Sequence, residues 1–144
     1  MRGNPAAIFH GYADLSKRQQ GLLSSLGEYG SQVTVGKRAV SMKDLAALTA
    51  HTGDEFLMLT RKGERLIMRG SQQGFHGVVD DVWAKQMASQ GWKWSGHTHP
   101  VLQGMSDLGT LMSSGGDRAI LQAFGQSRSL ILNSKGRWSV FDGN

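Results

Sequence analysis

No cysteine occurs among the 144 residues of the chain. Disulfides, thiolate nucleophiles and cysteine-bound metals are thereby excluded, and any metal has to be held by His, Asp or Glu. Only two prolines interrupt the sequence, and no apolar run approaches the roughly 20 residues of a membrane-spanning helix. The first residues also lack the charged-then-apolar pattern of a secretory leader. A soluble protein with no membrane partner is the expectation. Length excludes large architectures as well: one domain with its own core fits, whereas a TIM barrel needs about 250 residues.

What is present matches an ordinary globular domain, with 39% hydrophobic and 19% charged residues and 20 glycines to make turns. The net charge of +5 favours an acidic partner in a general way. Lys and Arg are nevertheless scattered as singles and as pairs such as Lys17-Arg18, Lys37-Arg38 and Arg61-Lys62. Without a basic tract, nucleic acid is not the expected partner.

Residues 1–14 show no clear period and are expected to be a flexible tail, leaving 15–144 as the folded domain. Ser16 can cap a helix whose Leu22, Leu23 and Leu26 share a face, with Leu15 before the cap and Gly27 after the end. Two β-prone runs, 32–35 and 38–40, read as a hairpin across Gly36-Lys37. Ser41 with Asp44 forms a capping box that opens a second helix, ending before Gly53. Strands follow at 55–60 and 64–69; in the first, Glu55, Leu57 and Leu59 share a face. An amphipathic helix is expected over 78–90, with Val79, Val82, Trp83 and Met87 on its apolar stripe. A strand over 92–99, a glycine-interrupted loop over 101–112, a helix over 114–124 and strands at 129–133 and 138–141 complete the chain. The order α-β-β-α-β-β-α-β-α-β-β implies a single α/β domain with a mixed sheet and flanking helices.

The chemistry concentrates in Ser95-Gly96-His97-Thr98-His99-Pro100. Alternate residues of a strand share a face, so His97 and His99 project side by side while Trp92, Trp94 and Thr98 point the other way. Pro100 cannot join the ladder, so the pair sits at a strand end where a pocket can form. Catalytic zinc takes three protein ligands and leaves one position for water. Asp117, three residues after Ser114 at a helix start, is the candidate third ligand, with Asp107 as its rival. Amide cleavage further needs a base that takes a proton from water and delivers it to the leaving amine. Glu55 is the candidate for that role and Glu64 its rival, while Ser114 can stabilise the oxyanion. Ser114-x-x-Asp117 alone is equally a plain capping box.

These residues resemble the JAB/MPN/Mov34 metalloproteases, also called JAMM proteases. Their signature is a strand Glu, then His-Ser/Thr-His-Pro, then Ser-x-x-Asp; its counterparts here are Glu55, His97-Thr98-His99-Pro100 and Ser114-Gly115-Gly116-Asp117. The likeness spans roughly 41–141. It implies a cytidine deaminase-like sheet architecture and zinc (Zn2+) held by His97, His99 and Asp117. It also implies Glu55 as general acid/base, Ser114 as transition-state support, and a protein or peptide substrate such as a ubiquitin-like tail cleaved at a peptide or isopeptide bond. The spacing from His99 to Asp117 exceeds the family's, which implies an inserted loop at 101–112, a candidate lid.

Three segments, Leu15-Ser16-Lys17-Arg18-Gln19-Gln20, His51-Thr52-Gly53-Asp54-Glu55-Phe56 and Gly96-His97-Thr98-His99-Pro100, are similar to JAB-type domains of bacterial polymorphic toxins and phage-associated proteins. That likeness implies a toxin or effector domain acting in the cytoplasm of a target cell after delivery, with an immunity protein as partner. Two other functions stay open: a metal-dependent nuclease toxin, motivated by the +5 charge, and a non-catalytic binding module on the same fold. Amidohydrolase barrels and cupins do not fit, the first by length and the second because at least three helices are visible.

Overall fold

A computed structural model describes residues 15–144; the expected N-terminal tail, and His10 within it, lie outside the described residues. Along the chain come α1 (Lys17–Ser25), β1 (Gln32–Gly36), a 3-10 turn (Lys37–Ala39), α2 (Met42–Thr52), β2 (Phe56–Arg61), β3 (Glu64–Arg69), α3 (Asp81–Ser89) and β4 (Lys93–His99). The one-turn α4 (Asp107–Thr110), α5 (Gly115–Phe124), β5 (Arg128–Asn133) and β6 (Trp138–Asp142) follow.

Helix starts are set by side chains that satisfy the first free N–H groups. Ser16, Ser41 and Ser114 each accept the N–H three residues on, and Gln19, Asp44 and Asp117 return the favour to the serine N–H. Asp44 also receives Arg18 at 2.7 Å and Gln19 at 3.0 Å, which ties α1 to α2. The helix expected over 78–90 starts later, because Asp80 accepts from Trp83 N and caps it there. Val82 accordingly falls on the exposed side, at 68% accessibility, and not on the apolar stripe.

The six strands form one sheet in the order β1-β3-β2-β4-β5-β6, antiparallel throughout except for the parallel pair β4–β5. This is a mixed α/β sheet with helices on both faces. Period-two alternation sends Leu57 and Leu59 into a core with Trp94, Leu121, Phe124 and Ile131, beside α3 and α5. Phe56, Met58 and Ile67 go to the other face, against Leu22, Leu45 and Leu48 of α1 and α2. Each such side chain contributes about 1.5–3 kcal/mol by leaving water.

Two expectations need correction. Residues 32–40 do not form a hairpin: β1 pairs with β3, and Gly36-Lys37 leads into the 3-10 turn. Propensity is local, whereas the partner strand lies some thirty residues downstream and wins by burial. The other error concerns Trp94, which was placed opposite the histidines. β2 pairs Leu59 with Trp94 and Met58 with Gly96, so the register shifts and Ser95 is the extra residue of a bulge. The bulge reverses the alternation, and Trp94 shares the face of His97.

Candidate metal centre

Because β2 runs antiparallel to β4, the start of one and the end of the other meet at the same sheet end. Leu57 pairs with His97, and the same register brings Glu55 level with His99. Thr98, between the two histidines but on the opposite face, locks the arrangement. Its Oγ1 lies 2.5 Å from Thr49 Oγ1 of α2 and accepts Phe56 N at 2.9 Å. Glu55 is held further by its backbone, which donates to Ser71 O at 3.0 Å and accepts from Gly70 N at 2.7 Å. At Gly70 a Cβ would lie 2.6 Å from Gly74 O and 2.8 Å from the Phe75 ring, so only glycine permits this close approach.

The helix α5 brings in the third group. Asp117 Oδ1 lies 3.2 Å from His97 Nε2, Asp117 Oδ2 lies 3.5 Å from His99 Nε2, and the two Nε2 atoms are 3.0 Å apart. The capping box aims this carboxylate, since Ser114 N donates to Asp117 Oδ2 at 2.9 Å. Capping and convergence on the imidazoles are therefore not alternatives; the same side chain does both. Glu55 lies across the group, with ligand atoms of Glu55, His97 and His99 all within 4.8 Å of one another. Ser114 Oγ accepts Asp117 N at 2.9 Å and is exposed at the rim. All five residues line one cleft of about 490 Å3.

Packing fixes His97. Its ring stacks on Trp94 at 4.9 Å and meets the edge of Phe141 at 5.7 Å. Its buried Nδ1 has no hydrogen-bond partner among the described residues. His99 Nδ1 lies 3.0 Å from Thr110 O, a carbonyl that can only accept, so Nδ1 carries a proton.

The charges sort accordingly. Burial lowers the His97 pKa. Burial also opposes charge on His99, but the Asp117 hydrogen bond, the Glu55 charge and the Thr110 carbonyl outweigh it, and its pKa is raised. For Asp117, burial is outweighed by the hydrogen bonds from both imidazoles, which hold the carboxyl far below the usual range. Glu55 has no such bonds. Burial pushes its carboxyl up to about 8, with His99 opposing and Asp117 adding to the rise.

The rival residues lie elsewhere. Asp107 pairs with Lys135 at 3.2 Å and Arg137 at 2.9 Å. Glu64 pairs with Arg61 at the far turn of the β2–β3 hairpin. His51 is buried within α2, whereas His76 lines the cleft. Phe75 and Thr110 line it too; neither had a spacing signal, because one sits on an irregular loop and the other acts through its carbonyl.

Donor chemistry and spacing both fit a small cation. Ligands at zinc–nitrogen distances of about 2.0–2.1 Å in a tetrahedron are separated by roughly 3.4 Å, and the three observed separations of 3.0, 3.2 and 3.5 Å bracket that value. Two imidazoles and a carboxylate suit zinc, and equally ferrous iron or other borderline divalent ions. Comparison of the chain with family models, with curated proteins and with solved structures returns no match.

Proposed function

We propose that the chain is a zinc-dependent hydrolase of JAB/MPN type that cleaves a peptide or isopeptide bond. The observation that carries this reading is the convergence of Asp117 on the Nε2 atoms of both His97 and His99, with a second carboxyl, Glu55, beside them but ion-paired to neither. His97, His99 and Asp117 would hold the ion. When bound, zinc supplies a water whose pKa falls toward ~7 and a Lewis acid for the scissile carbonyl. Glu55 takes the proton released as the water oxygen attacks the carbonyl carbon, then delivers it to the amine nitrogen as the C–N bond breaks. One carboxylate beside the ion can serve both transfers, accepting in the first step and donating in the second. Ser114 Oγ uses a lone pair on Asp117 N and keeps its own proton for the developing oxyanion.

One observation favours a peptide over a nucleic acid. Among the described residues neither Lys nor Arg lines the cleft, despite the net charge of +5. A phosphodiester backbone is recognised through such cations, whereas the walls here carry Phe75, Val79, Met105 and Ile120.

The test combines metal analysis with turnover. Wild type and Asp107→Ala are expected to hold about one equivalent of zinc, and His97→Ala and Asp117→Ala little. Glu55→Gln should keep the ion and lose about 10²–10⁴-fold of the cleavage rate on peptide and isopeptide substrates. Metal-dependent cutting of RNA or DNA with peptides untouched would move the reading to a nuclease. A wild-type protein that acquires no zinc would end it.

A further inference from the structure

We propose that residues 101–112, which sequence alone suggests as a lid, serve as a fixed buttress in which Thr110 positions His99 for metal binding. The inference rests on the zinc-hydrolase reading above and assigns a part of the site beyond its ligands and base.

The two histidines are restrained differently. His97 is 1% exposed and clamped between Trp94 and Phe141. His99 is 15% exposed, ends its strand and, among the described residues, meets only the edge of His97 as an aromatic ring. On the side away from Asp117 and His97, its ring is oriented by the hydrogen bond from Nδ1 to the Thr110 carbonyl at 3.0 Å. That carbonyl ends α4 and has no partner within so short a helix. A ligating histidine generally donates its other N–H in this way, which fixes tautomer and ring plane together.

Thr110 is in turn immobilised. It is 1% exposed; its Oγ1 donates to Asp107 O at 2.7 Å and accepts from Asn133 Nδ2 at 3.1 Å. Asn133 is fully buried and spends its Oδ1 on the N–H groups of Lys135 and Arg137, both at 3.0 Å, which close the β5–β6 turn. The same turn grips the start of α4, and β6 grips its end. Asp107 pairs with Lys135 and Arg137, and Ser139 Oγ donates to Leu111 O at 2.6 Å. The turn also holds the backbone around His99, through Ser134 N to His99 O at 3.1 Å and Val101 N to Ser134 Oγ at 2.8 Å. A segment fastened at so many points does not swing. The line Asn133, Thr110, His99 carries the rigidity of the sheet to a ligand that packing leaves loose.

The experiment compares wild type, Thr110→Val and Thr110→Ser for zinc dissociation constant, by competition with a chelator, and for the visible spectrum of the cobalt(II)-loaded protein. Thr110→Val keeps the shape and removes the hydroxyl, so zinc affinity should fall about 10–100-fold and the cobalt bands should shift. Thr110→Ser restores the hydroxyl and should return both toward wild type. Valine and wild-type proteins with equal zinc affinity and identical cobalt spectra would overturn the inference, as would a serine variant as weak as valine. Should the valine variant not fold, the wild-type zinc protein decides: long-range proton–nitrogen spectra must show His99 protonated at Nδ1 and metal-bound at Nε2, and the opposite tautomer refutes the assignment. If wild type binds zinc and cleaves peptides while these results go against Thr110, only this inference falls. If wild type takes up no zinc, the hydrolase reading falls with it.

Discussion

Two carboxyl groups in one cleft are held in opposite states, and their partners explain the difference. Asp117 receives both imidazoles and the Ser114 N–H, so it remains an anion suited to a cation. Glu55 is shielded from water without such donors among the described residues, and burial pushes its carboxyl up to about 8. The linkage has a definite sign in the metal-free protein. A carboxyl with a raised folded pKa binds more protons folded than unfolded, so its stabilising contribution is full below 4.5 and is lost as pH rises through about 8. Denaturation in the presence of chelator should therefore show Glu55→Gln gaining on wild type between those values, most at the alkaline end. A difference between the two proteins that stays constant from about pH 4.5 to about pH 8 would contradict the shift. Sequence singled out Glu55 because it opens a strand facing the histidines, but could not show that Glu64 is tied to Arg61 or Asp107 to Lys135 and Arg137. Those ties depend on which turns come together, which no spacing encodes.

Strands and their joins decide where these groups sit. The bulge at Ser95 turns Trp94 under His97, and Gly96 lets β5 close in, since a Cβ there would lie 2.9 Å from Leu130 O. Gly70 plays the corresponding part for Glu55. In Gly70→Ala the new methyl meets backbone and a packed ring, so a loss of about 1–3 kcal/mol is expected, with cleavage falling more than stability alone explains because Gly70 N bonds Glu55 O. Gly63→Ala, with open space around its Cα, is the control. Denaturant midpoints and rates check both; an unchanged Gly70→Ala protein would show that the loop yields. Helices were legible because Ser16, Ser41 and Ser114 announce themselves locally with a partner three residues on. The pairing of β1 and the bulge in β4 were not, because each is settled by a neighbour distant in sequence.

At the scale of the molecule, the sheet separates two cores, and the candidate site residues gather at one strand end. No helix among the described residues is long and apolar enough to cross a membrane. Among the described residues the Lys and Arg side chains lie outside the cleft, whose lining mixes apolar groups with acids, histidines and neutral polar side chains. The stacking of Trp94 on His97 has a practical consequence. If His97 takes a cation, an indole stacked 4.9 Å from its ring is placed to report the change in that ring's electron density, an optical gauge of occupancy. Tryptophan emission should change on titration with zinc and level off at about one equivalent. Trp94→Phe should bind the same amount in silence, and a variant whose emission still followed the titration would place the sensor at another tryptophan.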